Sequence, residues 1–233
     1  MILERVDLDH CQDLLQAALH RRRYDFVLER LPAGQKVLEI GTGPGAFTRE
    51  LLPNCGSYTG VEYDAGTCVQ AREKNPGAEI IEADARKLPF GESHFSLVLC
   101  LEVLEHLGDW QAGLRNIHRC LRPDGVAFIS VPWRRVGGRS LINQYHLYEP
   151  GEDELTALLR QLFVGVEVYY LYFEETLAMT LARRLHCRRL LGLARIYADL
   201  AAGLPRATAR LKIGPRAQGF KQGLIAVLKG KRL

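Results

Sequence analysis

Residues 36–51, KVLEIGTGPGAFTREL, join an apolar run, three closely spaced glycines and the start of a helical pattern. Gly41, Gly43 and Gly45 lack a Cβ, so the backbone there can turn sharply and approach a ligand closely. The helix that follows presents unpaired N–H groups in its first turn. In open α/β sheets, the loop after the first strand is a usual place for a ligand. The stretch therefore predicts a buried strand followed by a loop that binds a nucleotide-like ligand.

From residue 36 onward, short β-rich runs alternate with helical patterns. Further strands are predicted in the runs SYTGVE, AEIIEAD, FSLVLCL, VAFISVP, VEVYYLYF and GLIAVLK. A continuous apolar run such as FSLVLCL is typical of a central parallel strand. The alternation and the short connections predict an α/β fold, with a mostly parallel, Rossmann-like sheet and helices on both faces.

The chain of 233 residues is short enough to form a single domain. We expect residues 1–34 to form N-terminal helices over the open end of the sheet. Residues 35–173 are expected to form the ligand-binding core. Residues 174–220 read as a basic helical insertion, and residues 221–233 as the last strand and tail.

Several classes of protein are disfavoured by composition. Six scattered cysteines form no Cys-x-x-Cys pair, which argues against zinc or a redox dithiol and favours reduced thiols in a cytoplasm. The charged N-terminus does not resemble a secretory signal, and no run of 18 apolar residues occurs. His10, His20, His94, His118 and His186 show no metal-binding spacing, so we expect packing or surface roles for them and no metal site.

Three carboxylates near the glycine loop help to choose the ligand. With Ala46 in its last position the loop fits G-x-G-x-x-G/A, and Glu62 follows Gly41 by 21 residues, where an acid binds ribose hydroxyls. Glu39 would oppose a pyrophosphate but would favour a ligand that carries an ammonium and a sulfonium. Asp84 can accept a hydrogen bond from an adenine amine. The structural alternatives are that Glu39 caps the loop amides and that Asp84 caps the next helical turn.

Five motifs, in order, resemble those of class I S-adenosylmethionine-dependent methyltransferases: VLEIGTGPG, GVEYD, EADARKLPF, FSLVLCLEVLEHL and LRPDGVAFISVP. The similarity covers about residues 35–173 and, more weakly, residues 223–229. It implies a seven-stranded sheet whose antiparallel last strand pairs with VEVYYLYF. It also implies an enzyme of the small-molecule type, with S-adenosyl-L-methionine as its cofactor.

The resemblance also assigns cofactor contacts. In that family the first-strand acid and the glycines surround the methionine part, and the second-strand acid holds the ribose hydroxyls. Residues after the third strand contact adenine, and residues after the fourth strand line the cofactor floor. The matching positions here are Glu39, Gly41, Thr42, Gly43, Gly45, Glu62, Tyr63, Asp84, Ala85, Leu101 and Glu102.

The acceptor side is predicted less directly. His106 follows the fourth strand and is a candidate general base, although it could simply line the pocket. Glu105 beside it is expected to face solvent. Tyr145 and His146 precede a predicted helix and either contact the substrate or tie the loop down. Arg134 follows the fifth strand and could bind a carboxylate or phosphate, or lie in a solvated loop.

Basic residues concentrate near the C-terminus. After residue 175 there are 13 Lys and Arg and one acid, whereas the first 175 residues hold 18 basic and 26 acidic residues. A helix within residues 176–212 could lie on an anionic membrane, cap the substrate pocket or bind a partner. We favour a lid helix packed on its own domain. The arginines lack interleaved aromatics and no nucleic-acid-binding module is present, which disfavours nucleic acid as substrate.

The sequence therefore predicts methyl transfer to an O, N or C atom of a small or medium-sized acceptor, for which an anionic or lipid-like molecule would suit the arginines. The expected location is the cytoplasm, with peripheral contact at the inner membrane surface as an option. One alternative is a nicotinamide-dependent oxidoreductase. Another is a non-catalytic protein that keeps this fold and works as a binding or membrane-associated partner. The acceptor and the oligomeric state are left open.

Overall fold

The computed structural model describes residues 14–140, 143–174, 211–215 and 219–232. Its helices are α1 (Leu14–Leu28), α2 (Thr48–Leu51), α3 (Ala65–Lys74), α4 (Trp110–Cys120) and α5 (Glu152–Leu162). Its strands are β1 (Gln35–Ile40), β2 (Cys55–Glu62), β3 (Glu79–Glu82), β4 (Phe95–Leu101), β5 (Leu121–Pro132), β6 (Phe163–Glu174), β7 (Leu211–Gly214) and β8 (Gly219–Lys231). Single 3₁₀ turns lie at Leu52–Asn54, Ala85–Lys87 and Leu104–His106.

These strands form one sheet in the order β3-β2-β1-β4-β5-β8-β6-β7. The pairs among β1 to β5 are parallel, and β8 runs antiparallel between β5 and β6. The predicted Rossmann-like sheet, with a last antiparallel strand paired to the VEVYYLYF run, is thus confirmed. The strand order reverses between β1 and β4, so the loops after these two strands diverge and leave a crevice at their carboxyl ends.

The predicted count of seven strands is wrong, because the described part of the chain contains eight. The additional strand, β7, lies inside the segment that was expected to be a helical insertion, and it pairs antiparallel with Tyr170–Phe173 of β6. β6 is long and would otherwise expose unpaired backbone groups at the sheet edge, which a short flanking strand covers. β8 also begins at Gly219, earlier than expected. The rest of the predicted insertion, residues 175–210 and 216–218, lies outside the described residues.

Helices cover both faces of the sheet, as the alternation of elements predicts. Strand residues alternate between the faces: Leu38 packs with α4 and α5, whereas the adjacent Val37 packs with α1 and α3. Cys100 is fully buried in the first of these cores. Within the described ranges, no helix combines the length and the apolarity needed to cross a membrane.

α3 begins directly after β2, and its start positions the residues at the end of that strand. Asp64 caps the helix, because its Oδ1 accepts hydrogen bonds from the backbone N–H and the hydroxyl of Thr67, each at 2.8 Å. Asp64 comes only two residues after Glu62, so this cap also fixes the direction of the chain at Glu62, which is predicted to bind the cofactor.

Candidate cofactor site at the carboxyl ends of the strands

A cavity of about 280 Å³ lies where β1, β2, β3 and β4 end. The wall combines the loops after these strands with one face of α1. Its lining consists of residues 40–44, 46–47, 61–63, 83–86, 101–103 and 106–108, together with His20, Tyr24 and Leu147. Most of the predicted cofactor residues therefore meet in one cavity: Gly41, Thr42, Gly43, Glu62, Tyr63, Asp84, Ala85, Leu101 and Glu102.

The glycine loop adopts a backbone that other residues rarely adopt. Gly41, Gly43 and Gly45 have φ values of +74°, +55° and +74°. A Cβ on Gly41 would lie 2.3 Å from Cγ2 of Val103, so this glycine lets the loop approach the segment after β4. The N–H groups of Gly41 and Thr42 donate to the carbonyl of Val61 at 2.7 and 3.1 Å, which fastens the turn to β2.

Gly45 has a packing role and does not line the cavity. A Cβ there would lie 2.4 Å from Nδ2 of Asn75. That amide instead donates a hydrogen bond to the Gly45 carbonyl at 3.0 Å. Gly45 thus allows the loop to pack closely against α3 and its C-terminal cap, and its assignment as a cofactor contact stays a prediction.

Glu62 joins the glycine loop to the end of β2. Its Oε2 accepts the N–H of Gly43 at 3.1 Å, and its Oε1 accepts the N–H groups of Tyr63 and Asp64 at 2.9 and 3.1 Å. The carboxylate is only 7% exposed and lines the cavity. A carboxylate has about four lone-pair sites, so Glu62 retains capacity for a ligand hydroxyl. Tyr63, by contrast, is 57% exposed at the cavity rim.

Glu39 lies beneath the loop rather than in the cavity lining. Its carboxylate accepts hydrogen bonds from the hydroxyls of Tyr24 and Tyr58, and from that of Thr42 at 3.3 Å. Burial raises the pKa of Glu39, and these three hydrogen bonds oppose the rise. Tyr24 and Thr42 both line the cavity, so Glu39 supports the wall through them. Direct contact of Glu39 with the cofactor stays a prediction.

Asp84 both caps a turn and lines the cavity, so the two interpretations of its sequence position are compatible. Its Oδ1 accepts the N–H of Arg86 at 2.8 Å, and Oδ2 pairs with Nη2 of the same residue at 2.6 Å. The Arg86 side chain is the main cause of the lowered pKa of Asp84. The carboxylate is therefore ionised near neutral pH and can accept a hydrogen bond from an amine.

Glu102 anchors the floor of the cavity. It has φ +56°, an uncommon value for a residue with a side chain. Its N–H donates to the carbonyl of Ser130 at 3.1 Å, and its Oε1 accepts the Ser130 hydroxyl at 2.8 Å. Its Oε2 accepts Nη2 of Arg23 at 2.8 Å, across an ion pair in which Arg23 is 2% exposed. α1 is thereby held over the floor formed by Leu101 and Glu102.

α1 contributes cavity residues that sequence analysis missed. His20 was expected to be an ordinary surface or packing residue, yet it lines the cavity together with Tyr24. Burial, followed by the charges of Arg23 and His106, lowers the pKa of His20 to about 3, so its ring is neutral. The segment LLQAALHRRRYDFVL has no motif that marks these residues, and only its docking against β4 brings them to the site.

In the turn after β4, the expectation for Glu105 was wrong. Glu105 was expected to face solvent but is fully buried. Its two carboxylate oxygens have no hydrogen-bond partner among the described residues. Burial, reinforced by the charge of Glu102, raises the pKa of Glu105 well above its usual range. The single 3₁₀ turn Leu104–His106 is too short to show an amphipathic period from which this burial could be predicted.

His106 lines the cavity, as a residue on the acceptor side should. Its Nδ1 lies 3.1 Å from the carbonyl oxygen of Tyr145, and its ring stands edge-on to that of His146, with centroids 4.8 Å apart. The structure thus brings the predicted base next to the loop that was predicted to contact the substrate. Neither Tyr145 nor His146 belongs to the cavity lining itself.

Arg134 holds that loop together. Its Nη1 donates to Oε2 of Glu149 at 2.8 Å and to the carbonyl of Arg139 at 3.1 Å. Glu149 also pairs through Oε1 with Nδ1 of His146 at 2.6 Å. Gly138 and Glu149 form an isolated antiparallel bridge. Arg134 lies outside the cavity lining, so an anionic substrate group would have to compete with Glu149 for it.

The fold is that of class I S-adenosylmethionine-dependent methyltransferases. Residues 38–129 match the family model of the methyltransferase domain, and this part of the chain is such a domain. The cofactor of that class is S-adenosyl-L-methionine.

Known proteins agree with that class. A probable S-adenosylmethionine-dependent methyltransferase of Mycolicibacterium smegmatis is 32% identical over 152 residues, which cover 63% of this chain and 59% of the relative. A ubiquinone/menaquinone biosynthesis C-methyltransferase of Pseudomonas aeruginosa is 25% identical over 182 residues, 73% of this chain and 70% of that protein. The chain thus spans less than two thirds of the first relative's length.

Solved structures share the fold at lower sequence identity. The crystal structure of a SAM-dependent methyltransferase from Thermotoga maritima matches with a TM-score of 0.62 and 16% sequence identity. The match covers 93% of this chain and 90% of the Thermotoga maritima chain. At this identity the likeness concerns the fold alone, so substrate and acceptor must be argued from the site.

Proposed function

We propose that this protein is an enzyme that transfers a methyl group from S-adenosyl-L-methionine to a small or medium-sized acceptor. The observation that carries the proposal is one cavity in which a glycine loop with positive φ meets the carboxylates of Glu62, Asp84 and Glu102. Glu62 suits the ribose hydroxyls of either cofactor, whereas Asp84 and Glu102 suit the amine and the positive charge of S-adenosyl-L-methionine and would repel a pyrophosphate. The methyltransferase relatives support the same choice.

The residues present fit this cofactor. Gly43 lines the cavity, and a Cβ built on it would meet no atom within 4 Å, so the loop backbone is open to a ligand there. Glu62 is proposed to hold the ribose hydroxyls, and Asp84 with Ala85 the adenine. When bound, S-adenosyl-L-methionine supplies a methyl group activated by a sulfonium. Tyr24 and His20 close the cavity from the side of α1, so they exclude water and help to fix the orientation of the ligands.

His106 is proposed to act on the acceptor. Its position in the cavity wall places an imidazole beside the space left for an acceptor group, and imidazole can take up a proton near neutral pH. If its Nδ1–H donates to Tyr145, the proton from the acceptor is taken at Nε2. The loop that carries Tyr145, His146 and Arg134 is proposed to choose the acceptor, because it packs against His106.

Calorimetry tests the cofactor assignment. S-adenosylhomocysteine, S-adenosylmethionine and NADH are each titrated into the wild-type protein and the Glu62→Ala variant. We expect wild-type binding of the first two compounds and at least about tenfold weaker binding by the variant, since about 1.4 kcal/mol corresponds to a factor of ten. Binding of NADH without S-adenosylhomocysteine would instead support the oxidoreductase, and binding without turnover on any acceptor would support a non-catalytic role.

A Glu73→Ala variant is a matched control, because Glu73 is an exposed acid on α3 that lies outside the cavity lining. Its affinity for S-adenosylhomocysteine should equal that of the wild type. If Glu62→Ala and Glu73→Ala bind equally well, Glu62 is not part of the site.

We also propose that the basic segment 176–212 brings the enzyme to an anionic surface or an anionic, lipid-like acceptor in the cytoplasm. The segment holds eight basic residues and one acid, which supports this because polybasic segments bind anionic lipid surfaces. Flotation with anionic and with neutral vesicles tests it. Binding to anionic vesicles that disappears at high salt is expected, and equal recovery with both vesicles would reject the proposal.

A further inference from the structure

Glu105, His106 and His146 place one carboxylate oxygen and two ring nitrogens within 4.8 Å of one another, beside the proposed acceptor position. No metal site was expected from the sequence, because it has no Cys-x-x-Cys pair and because His10, His20, His94, His118 and His186 show no metal-binding spacing. That reasoning missed this group, because His146 belongs to the loop after β5, 40 residues beyond His106. The turn after β4 and this loop come together only in the fold.

Glu105 supplies the second observation. Its side chain is 0% exposed, and among the described residues neither of its oxygens has a hydrogen-bond partner. An unsatisfied buried acid is costly, so such a group calls for a ligand or a proton. A bound cation would give the Glu105 carboxylate a charged partner, whereas protonation alone would leave both of its oxygens without one.

Both histidines are oriented by hydrogen bonds of the kind that metal-binding histidines make. Nδ1 of His106 lies 3.1 Å from the Tyr145 carbonyl, and Nδ1 of His146 lies 2.6 Å from Oε1 of Glu149. When these nitrogens donate, each Nε2 carries a lone pair. Ligating histidines usually donate their other N–H to a carbonyl or carboxylate in this way. Nε2 of His146 lies 2.9 Å from Nδ2 of Asn143, and this is the contact that a metal ion would replace.

We propose that Glu105, His106 and His146 bind one divalent transition-metal ion, for which Zn²⁺ is the reference. Two imidazoles and a carboxylate form a ligand set that zinc uses in catalytic sites with a further position open. Three ligands about 2.1 Å from an ion in a tetrahedral arrangement stand about 3.4 Å apart. Donor atoms within 4.8 Å of one another would therefore have to approach one another by up to about 1.4 Å when the ion binds.

The ion would lie next to the cofactor cavity, because His106 lines it. The following role of the metal rests on the proposed function. The open coordination position of the ion would hold an oxygen atom of the acceptor and would lower the pKa of that oxygen. This favours acceptors that carry a hydroxyl or enol able to bind a metal. His106 then serves as a ligand and not as the general base, so the two roles exclude each other.

Metal binding is measured by calorimetry with Zn²⁺ on the chelator-treated full chain, and the bound ion is counted by elemental analysis. We expect one ion per wild-type chain, and loss of stoichiometric binding in Glu105→Gln and in His146→Ala. Glu149→Gln, which removes the carboxylate that orients His146 and pairs with Arg134, should weaken the affinity by about 10- to 100-fold. His94→Ala is the control, because His94 is exposed at the opposite end of β4. It should bind like the wild type.

Each variant is also titrated with S-adenosylhomocysteine. Retained binding shows that the variant is folded and that the cofactor proposal holds independently of the metal. Co²⁺ gives a further readout, since a site of nitrogen and oxygen ligands produces visible d–d bands without the strong thiolate charge transfer that cysteine binding would add. No stoichiometric ion on the wild type, or unchanged binding in Glu105→Gln and His146→Ala, would overturn the metal site while leaving the proposed function intact.

Discussion

Arg23 on α1 and Glu102 after β4, separated by 79 residues in sequence, form an ion pair with an Nη2–Oε2 distance of 2.8 Å. Arg23 is 2% exposed, and its Nε and Nη1 have no partner among the described residues. The pair therefore fixes α1 over the cavity floor but leaves part of a buried guanidinium unsatisfied. We therefore expect the main role of this ion pair to be the placement of His20 and Tyr24 at the cavity, and not stability alone.

Arg23→Met should lower the free energy of unfolding by about 3 kcal/mol, because it leaves Glu102 as a buried charge without its partner. Urea denaturation measures this change. Arg22→Met is the control: Arg22 pairs with Glu29 at 3.3 Å on the surface, so a change of no more than about 0.5 kcal/mol is expected. Equal effects in the two variants would contradict a structural role for the buried pair.

Gly41→Ala should weaken binding of S-adenosylhomocysteine at least about tenfold. An alanine at φ +74° costs about 1–2 kcal/mol, and its Cβ would also meet Val103 at 2.3 Å. Calorimetry measures the affinity. Gly77→Ala provides the comparison, since a Cβ on Gly77 would meet no atom within 4 Å and its φ lies outside the left-handed region. Wild-type affinity in Gly41→Ala would show that the loop does not form the site.

The buried His20 should make the stability of the protein depend on pH. Its pKa is lowered from 6.5 to about 3 in the folded protein, mainly by burial. Between these values the unfolded chain binds a proton that the folded chain does not, so stability falls as pH falls, by up to about 1.4 kcal/mol per pH unit. Above pH 6.5 the effect is absent. Thermal unfolding from pH 7 to pH 4 should show a shallower loss of Tm in His20→Gln than in the wild type.

The comparison for this experiment is His94→Gln, which changes an exposed histidine. It should follow the wild-type curve. A wild-type slope in His20→Gln as well would mean that His20 is protonated in the folded state, in conflict with its burial and with the nearby charges of Arg23 and His106.

Arg134→Ala should loosen the loop between β5 and α5, because it removes the hydrogen bonds to Glu149 and to the Arg139 carbonyl. A hydrogen bond to a charged group contributes about 1.5–3 kcal/mol. Hydrogen exchange at the Gly138 and Glu149 amides, which donate across the bridge at 3.0 and 2.8 Å, should therefore become faster. Arg135→Ala, at an exposed neighbour, should leave both amides unchanged. If the Gly138 and Glu149 amides stay protected from exchange in Arg134→Ala, Arg134 is not needed to hold the loop and is available to bind the substrate.

The sequence predicted the cofactor side of the site because its determinants are local. Gly41 and Gly43 follow a buried strand within a few residues, and Glu62 ends the next strand, so parallel pairing alone brings them together. The same reasoning placed Glu39 near the loop. It could not show that the hydroxyls of Tyr24 and Tyr58 surround that carboxylate, because these belong to different elements.

The acceptor side was less predictable for a physical reason. Glu105 sits in a single 3₁₀ turn, where no periodicity reports which side chain is buried. His20 and Arg23 reach the cavity only through the docking of α1, and the contact of His146 with His106 depends on a loop closed by Arg134 and Glu149. Strand β7 was missed because four residues carry little pattern, and pairing with β6 decides their conformation.

The ion pair between α1 and the segment after β4 also has a consequence for synthesis on the ribosome. Arg23 leaves the ribosome long before Glu102, and Ser130, which orients Glu102, is made later still. α1 can therefore be complete while it has no place to dock, with Tyr24 and Phe26 exposed to water. A nascent chain arrested before β5 should be recognised by chaperones through this helix, and extension past β8, which completes the core around α1, should release it.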